Sequence, residues 1–128
     1  RLLPAPQLQP GKSIEVPILR SLAYSRLRHK PLTWSKVKLS RARKTESVTT
    51  AAGTFSVERL QAAITQGPTW NFYVEQQVPR RMIKWESSDG HKAELLSTAR
   101  LPYWQMSGEG QAAALAKLKL KPRPARTP

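Results

Sequence analysis

The sequence contains no cysteine and only two histidines, His29 and His91, among its 128 residues. The lack of thiols excludes disulfide scaffolds, CxxC redox sites, iron–sulfur clusters and thiolate zinc sites. Two histidines leave few ligands for any other transition metal. We therefore expect no metal centre and no cofactor.

Long apolar runs are also lacking. The longest stretch without a charged residue, residues 60–74, is 15 residues long and contains Gln, Thr, Gly, Pro and Asn, whereas a membrane-spanning helix needs about 20 mostly apolar residues. The sequence therefore predicts no transmembrane helix. It starts at Arg1 with no apolar signal core, which we interpret as a mature form after presequence removal or as a fragment. The first interpretation favours an organelle.

Acidic residues are scarce, with eight Asp and Glu against 22 Lys and Arg and a formal net charge of +14. The sequence has no GxSxG, P-loop, GxGxxG or HExxH motif. Glu86 and Asp89 are interpreted as surface carboxylates, and His91 as a turn residue after Asp89-Gly90. We therefore expect that the protein is not an enzyme and has no small-molecule substrate.

The cations are concentrated in two acid-free segments on either side of a nearly neutral middle. Nine cationic residues lie between Arg20 and Lys44, and five more lie from Lys117 to the last residue. The first group is Arg20, Arg26, Arg28, Lys30, Lys36, Lys38, Arg41, Arg43 and Lys44, and the second is Lys117, Lys119, Lys121, Arg123 and Arg126. Such segments repel themselves unless phosphates neutralise them. They predict polyanion binding; solvated tails or an anionic membrane surface are the alternatives.

Aromatic residues and a histidine are interleaved with these cations. Aromatic rings among cations, here Tyr24 and Trp34, can stack on unpaired RNA bases. For Trp34, packing against the core is the favoured alternative. His29 is a candidate for phosphate contact or for plain solvation. We include His29 and Trp34 with the 14 cations in the predicted RNA-binding set.

Two helices are predicted in the first half of the chain, and a proline-rich, extended leader over Arg1–Gly11 precedes them. Helical spacing of apolar residues begins at Pro17 and ends before Pro31, which predicts a basic amphipathic helix. Alternation around Val37 and Leu39 predicts an extended segment. Ser56 as N-cap, with Gly67-Pro68 as the stop signal, predicts a helix from Val57 to Gln66.

Strands are predicted in the second half. Trp70–Val78 and Met82–Trp85 follow a strand period, and Ser88-Asp89-Gly90 is a turn signal. The turn leads into a third strand over Ala93–Leu96 or a short helix over Lys92–Arg100. Past Pro102 the sequence predicts a helix that begins at Ser107 and ends at Lys121, and then a basic tail that contains proline and cannot be helical.

These elements predict an α+β fold: a small mixed centre of helix and short antiparallel sheet with extended basic N- and C-terminal arms. Residues 1–52 form the leader, the basic helix and the basic arm. Residues 53–106 form the compact centre, and residues 107–128 form the C-terminal helix and basic tail.

A proline-rich leader, a cation-rich segment with scattered aromatics, a small neutral centre and a basic tail together resemble a small ribosomal protein, specifically a mitochondrial or other organellar one. The resemblance is to a class of proteins. It implies a structural constituent of the mitochondrial ribosome in the matrix that contacts ribosomal RNA through the arms and neighbouring ribosomal proteins through the centre. A basic accessory subunit of an organellar membrane complex and a DNA-binding nucleoid protein are the alternatives, and we expect no membrane contact.

Overall fold

The computed structural model describes residues 8–106 and 113–120, and it contains one antiparallel sheet of seven strands. The strands are β1 (Ser13–Leu19), β2 (Trp34–Arg41), β3 (Glu46–Thr50), β4 (Gly53–Ile64), β5 (Thr69–Glu75), β6 (Met82–Ser87) and β7 (Lys92–Glu94). The helices are α1 (Leu22–Leu27), α2 (Ala113–Lys117) and a 3-10 turn at Tyr103–Gln105.

The sheet is organised around β4, its longest strand. The strand order is β1-β2-β4-β5-β6-β7, and β3 pairs with β4 off this path. The first part of β4, Gly53–Val57, pairs with β3, and its last part, Leu60–Ile64, pairs with β2. β5 pairs with β4 along the opposite edge. β4 therefore connects the basic N-terminal strands to the rest of the sheet.

One face of the sheet carries the main core. Val57 and Ile83 are fully buried beside Tyr73, and Val48, Phe55 and Leu95 pack against them. The register between β5 and β6 shifts between Tyr73 and Val74, which leaves Ile83 as the extra residue of a bulge. The buried side chain of Ile83 packs into the core at the position where the hydrogen-bond ladder between β5 and β6 is interrupted.

The other face also buries apolar side chains. Leu60 and Val37 are buried there, and Leu60 lies opposite Phe72 in the ladder. The Trp70 ring stacks on Phe72 with centroids 6.3 Å apart and contacts Trp85 at 5.3 Å. Because successive strand residues point to opposite faces, the central strands are apolar on both sides.

The α+β prediction is therefore wrong, and the largest error is the helix predicted from Val57 to Gln66. These residues belong to β4 and the following turn. Val57 and Leu60 are both buried, but on opposite faces, and a strand buried on both faces gives the i, i+3 spacing that resembles a helix. Gly67 and Pro68 belong to the β4–β5 turn instead of ending a helix.

The helix predicted to begin at Pro17 is also wrong in its first part. Pro17 lies in β1, where a missing N–H is tolerated because β1 is an edge strand. The helix that does form, α1, is six residues long. The Ser21 hydroxyl caps it by accepting a hydrogen bond from the Tyr24 N–H at 3.2 Å. The segments predicted as the basic helix and the basic arm thus supply α1 and β2.

Three strand predictions are confirmed. The alternation around Val37 lies in β2, Met82–Trp85 lies in β6, and the strand begun at Trp70 lies in β5 but ends at Glu75. After the Ser88–Gly90 turn the chain forms β7 and not a helix.

Other predictions fall on the chain ends. Most of the leader, residues 1–7, and the tail after Lys121 lie outside the described residues. Of the predicted C-terminal helix, α2 is helical, and residues 107–112 are also outside. The predicted boundary at residues 52 and 53 lies at the turn between β3 and β4, and the sheet contains strands from both sides of it.

Candidate nucleic-acid interface

The antiparallel topology brings four segments of the chain together at one end of the sheet, which we call the α1 end. These segments are the end of β1 with α1, the start of β2, the β4–β5 turn and the β6–β7 turn. Seven residues of the predicted RNA-binding set lie here: Arg20, Arg26, Arg28, His29, Lys30, Trp34 and Lys36.

The rest of the N-terminal basic run lies further along the sheet. Lys38 is in the middle of β2, and Arg43 and Lys44 follow the other end of that strand. From Trp34 to Arg41 the strand advances about 23 Å at roughly 3.3 Å per residue. The basic run is thus continuous in sequence and spread along the length of β2. We call the cations from Arg20 to Lys44 the ribbon.

Most cations of this ribbon are exposed. The charge of Arg28 helps to lower the pKa of Asp89, which is lowered mainly by a hydrogen bond from Ser87. Within residues 8–106 and 113–120, no ion pair involves the following six exposed cations: Arg26, Arg28, Lys30, Lys38, Arg43 and Lys44. Lys36 pairs with Glu15 at 3.1 Å, with both side chains largely exposed. Screening by solvent makes such a pair weak, so Lys36 remains available to a phosphate.

Arg41 differs from the other members of the set because it is held inside the fold. Its Nη2 donates to the Glu58 carboxylate at 2.7 Å, and its Nη1 donates to the Leu8 carbonyl oxygen at 3.0 Å. The side chains of Arg41 and Glu58 are only 16% and 17% exposed. Its position indicates a structural role at the β2–β4 junction.

The C-terminal cations are described in part. Lys117 ends α2, and Lys119 follows it, both with exposed side chains. Lys121, Arg123 and Arg126 lie outside the described residues. The Ser97 hydroxyl donates to the Leu118 carbonyl oxygen at 2.6 Å, which joins this segment to the chain that follows β7.

A cleft of about 380 Å³ opens at the α1 end between α1, the start of β2 and the β4–β5 turn. Arg20 forms one wall, because its Nη2 donates to the carbonyl oxygens of Thr65 and Gln66 at 2.9 and 3.1 Å. The Arg20 guanidinium also lies 4.5 Å from the centre of the Tyr24 ring. These contacts fix the β4–β5 turn against α1.

The two aromatic residues of the cleft differ in environment. Tyr24 is partly buried beneath Arg20, so it packs within the fold. Trp34 is 73% exposed, and no ring or cation in the described part of the chain contacts its indole. The favoured sequence interpretation of Trp34, packing against the core, is therefore wrong. The large apolar ring is presented to solvent beside Lys30 and Lys36.

The ionisable groups with shifted pKa values mostly lie away from this cleft. The Arg81 guanidinium, which donates two hydrogen bonds to Glu75, lowers the pKa of that carboxyl. Burial, reinforced by a hydrogen bond to Glu86, raises the pKa of Tyr73 to about 12. The first joins β5 to the residue that precedes β6 and the second joins β5 to β6, so both stabilise the sheet.

A second depression, of about 390 Å³, lies over the β6–β7 turn and includes Glu86 and His91. Glu86 already accepts hydrogen bonds from Tyr73 and pairs with Lys84 at 3.0 Å, and His91 is exposed. In the described ranges, no group of three or more His, Asp or Glu residues could hold a metal ion. No helix of the described part is long and apolar enough to cross a bilayer.

Sequence reasoning missed the half of the cleft that comes from the β4–β5 turn. Thr65 and Gln66 were assigned to the end of a helix, and the buried Ser25 carried no signal. The positive φ of Gln66, 54°, belongs to a turn that only the correct strand assignment would have placed. Comparisons of the chain with protein-family models, with curated protein sequences and with solved structures found no match.

Proposed function

We propose that the protein is a structural constituent of a mitochondrial ribosome that binds ribosomal RNA through its basic residues. The observation that supports this proposal is that the fold has too few acidic side chains to neutralise its cations. Of the seven acidic residues in the described part of the chain, five each form an ion pair with one cation of the fold. The formal net charge of +14 already counts every carboxylate of the chain, so this charge is left for a partner to neutralise.

The exposed cations suit backbone contact better than base readout. Long, flexible Lys and Arg side chains that follow a ribbon across a sheet match phosphates spaced along RNA strands. Release of condensed counterions then supplies the binding free energy. Neighbouring ribosomal proteins are the proposed partners of the surfaces that the RNA does not cover.

Density-gradient sedimentation of the tagged protein from a mitochondrial lysate at ~0.3 M salt tests the proposal, because that salt removes most non-specific polyanion contacts. We expect migration with one ribosomal subunit and loss of that peak after RNase treatment. A peak near the top of the gradient, or migration with membrane complexes that RNase leaves unchanged, would contradict the proposal.

A matched pair of triple variants separates a specific surface from bulk charge. Arg26, Arg28 and Lys30 are replaced by Ala in one variant, and Arg80, Lys92 and Arg100 in the other. All six side chains are exposed, and each variant loses three positive charges. We expect the first variant to leave the ribosomal peak and the second to remain in it. Equal behaviour of the two would indicate non-specific attraction.

A further inference from the structure

The cleft at the α1 end has the charge of an anion site. Its lining includes the cations Arg20, Lys30 and Lys36 and no acidic side chain. Glu15 pairs with Lys36, and both of those side chains are more than half exposed. A negatively charged ligand that enters the cleft thus meets three positively charged side chains.

The cleft also offers a flat apolar surface and unused hydrogen-bonding groups. Trp34 lines the cleft and is 73% exposed. Ser25 lines the cleft with 8% exposure, and nothing in the described part of the chain hydrogen-bonds its hydroxyl. The Gln66 side chain adds an exposed amide. A ligand with a planar ring, polar edges and an anionic group matches all three features.

The walls of the cleft are held in place before a ligand arrives. Arg20 fixes the β4–β5 turn through two carbonyl oxygens, and the Ser35 hydroxyl donates to the Thr65 carbonyl oxygen at 3.4 Å. The backbone N–H of Thr65 donates to the Lys36 carbonyl oxygen at 2.9 Å. A preformed site loses less free energy to ordering on binding than a flexible one.

We propose that this cleft binds one unpaired nucleotide of RNA, with the base stacked on Trp34 and its phosphate between Lys30 and Lys36. The volume, about 380 Å³, lies within the range of small-ligand sites, roughly 300–1,000 Å³. A base within a duplex has no free face to offer, so the site selects single-stranded or extruded nucleotides. This proposal rests on the RNA-binding function above and adds the kind of RNA structure that is bound.

The test measures binding of the full chain to a labelled single-stranded oligouridine and to a duplex RNA of the same length. Trp34→Ala is expected to weaken oligouridine binding between about 5-fold and 150-fold, the range for loss of one base–aromatic stack. Trp34→Phe retains a ring face and is expected to recover most of that loss. Duplex binding is expected to change little in either variant.

Trp104→Ala is the matched control, because Trp104 is 69% exposed and its ring contacts Tyr103, outside the cleft residues. We expect it to leave binding to both RNAs unchanged. Thermal unfolding of Trp34→Ala is expected to match the unsubstituted chain, because an exposed ring contributes little to the core.

The outcomes separate the two proposals. Salt-dependent RNA binding by the unsubstituted chain, with Trp34→Ala equal to it on oligouridine, would overturn the nucleotide site and leave the RNA-binding function standing. Equal losses on oligouridine and duplex would also overturn it, because they indicate a backbone contact. No binding of either RNA by the unsubstituted chain would contradict both proposals.

Discussion

The guanidinium of Arg20 lies 4.5 Å from the centre of the Tyr24 ring while it donates hydrogen bonds to the β4–β5 turn. One side chain thereby joins the segment before α1 to residues 45 and 46 positions later. This contact builds the cleft out of segments that are distant in sequence.

Arg20→Lys keeps the charge but removes the planar group that reaches two carbonyl oxygens and covers a ring. We expect the free energy of unfolding to fall by about 1 kcal/mol, the size of a typical net hydrogen bond. We also expect weaker oligouridine binding with an unchanged salt slope. Denaturant titration and binding at several salt concentrations measure both. Unchanged stability together with unchanged oligouridine binding would contradict the role of Arg20 in holding the β4–β5 turn against α1.

The basic residues at the end of β2 and just after it differ in burial: Arg41 is held inside the fold, and Arg43 and Lys44 are exposed. The double variant Arg43→Ala with Lys44→Ala is expected to flatten the slope of log affinity against log salt by about 1 to 2, at roughly 0.7 to 0.9 per phosphate contact. Its unfolding transition is expected to stay the same, because both side chains are exposed.

Arg41→Ala is expected to lower the stability of the fold and to leave the salt slope unchanged. The substitution leaves the carboxylate of Glu58, which is 17% exposed, without its partner at 2.7 Å. Loss of a partner from a partly buried pair destabilises by roughly 1 to 3 kcal/mol. Denaturant titration measures this change, and salt-dependent binding measures the slope. A changed slope with normal stability would place Arg41 on the RNA and contradict its structural assignment.

The bulge residue Ile83 is, with Val57, one of the two fully buried core residues in the described part of the chain. It is 0% exposed beside Val57 and Tyr73, so Ile83→Ala removes packed methyl groups and leaves a cavity. We expect it to lower the free energy of unfolding by about 2 to 5 kcal/mol. Val78→Ala, at a position 89% exposed, is the control and is expected within about 0.5 kcal/mol of the unsubstituted chain. Similar values for the two would contradict the position of the core.

The ion pair between Glu75 and Arg81 makes stability depend on pH. Because the folded-state pKa of Glu75 is lowered by Arg81, its contribution is present above the ordinary glutamate pKa of about 4.3. It is lost as the pH falls below that value through the lower folded-state pKa. Glu75→Gln is expected to be less stable than the unsubstituted chain at neutral pH and to show a smaller further loss in acid. Parallel acid-unfolding curves would contradict this linkage.

Sequence patterns predicted the strands where only one kind of periodicity was present. Around Val37 and Leu39 the alternation with lysines is unambiguous, and β2 forms there. In β4, by contrast, both faces are buried, so Val57 and Leu60 gave a helical spacing that local reasoning had no means to reject. Long-range pairing with β2 and β5 decides the structure of that segment.

The candidate site was predicted in composition but not in shape. Most of its cations and Trp34 were identified from their clustering, because charge is visible in sequence. The internal role of Arg41 was not, because Glu58 is 17 residues away and was assigned to a helix. The contribution of Gln66 depends on the β4–β5 turn, and placing that turn requires the correct strand assignment.

The pairing of β4 with three strands also has a consequence for the order of assembly. Its partners in β3 and β5 begin only three and six residues away, at the Thr50–Gly53 and Ala63–Thr69 pairs, whereas the nearest pair of β2 with β4, Arg41 with Leu60, is 19 residues apart. Closing the longer loop costs more chain entropy. We expect β3 to β6 to form by zippering of hairpins and β2 to dock afterwards. The cationic segment would then join the sheet late, when phosphate groups can already neutralise its self-repulsion.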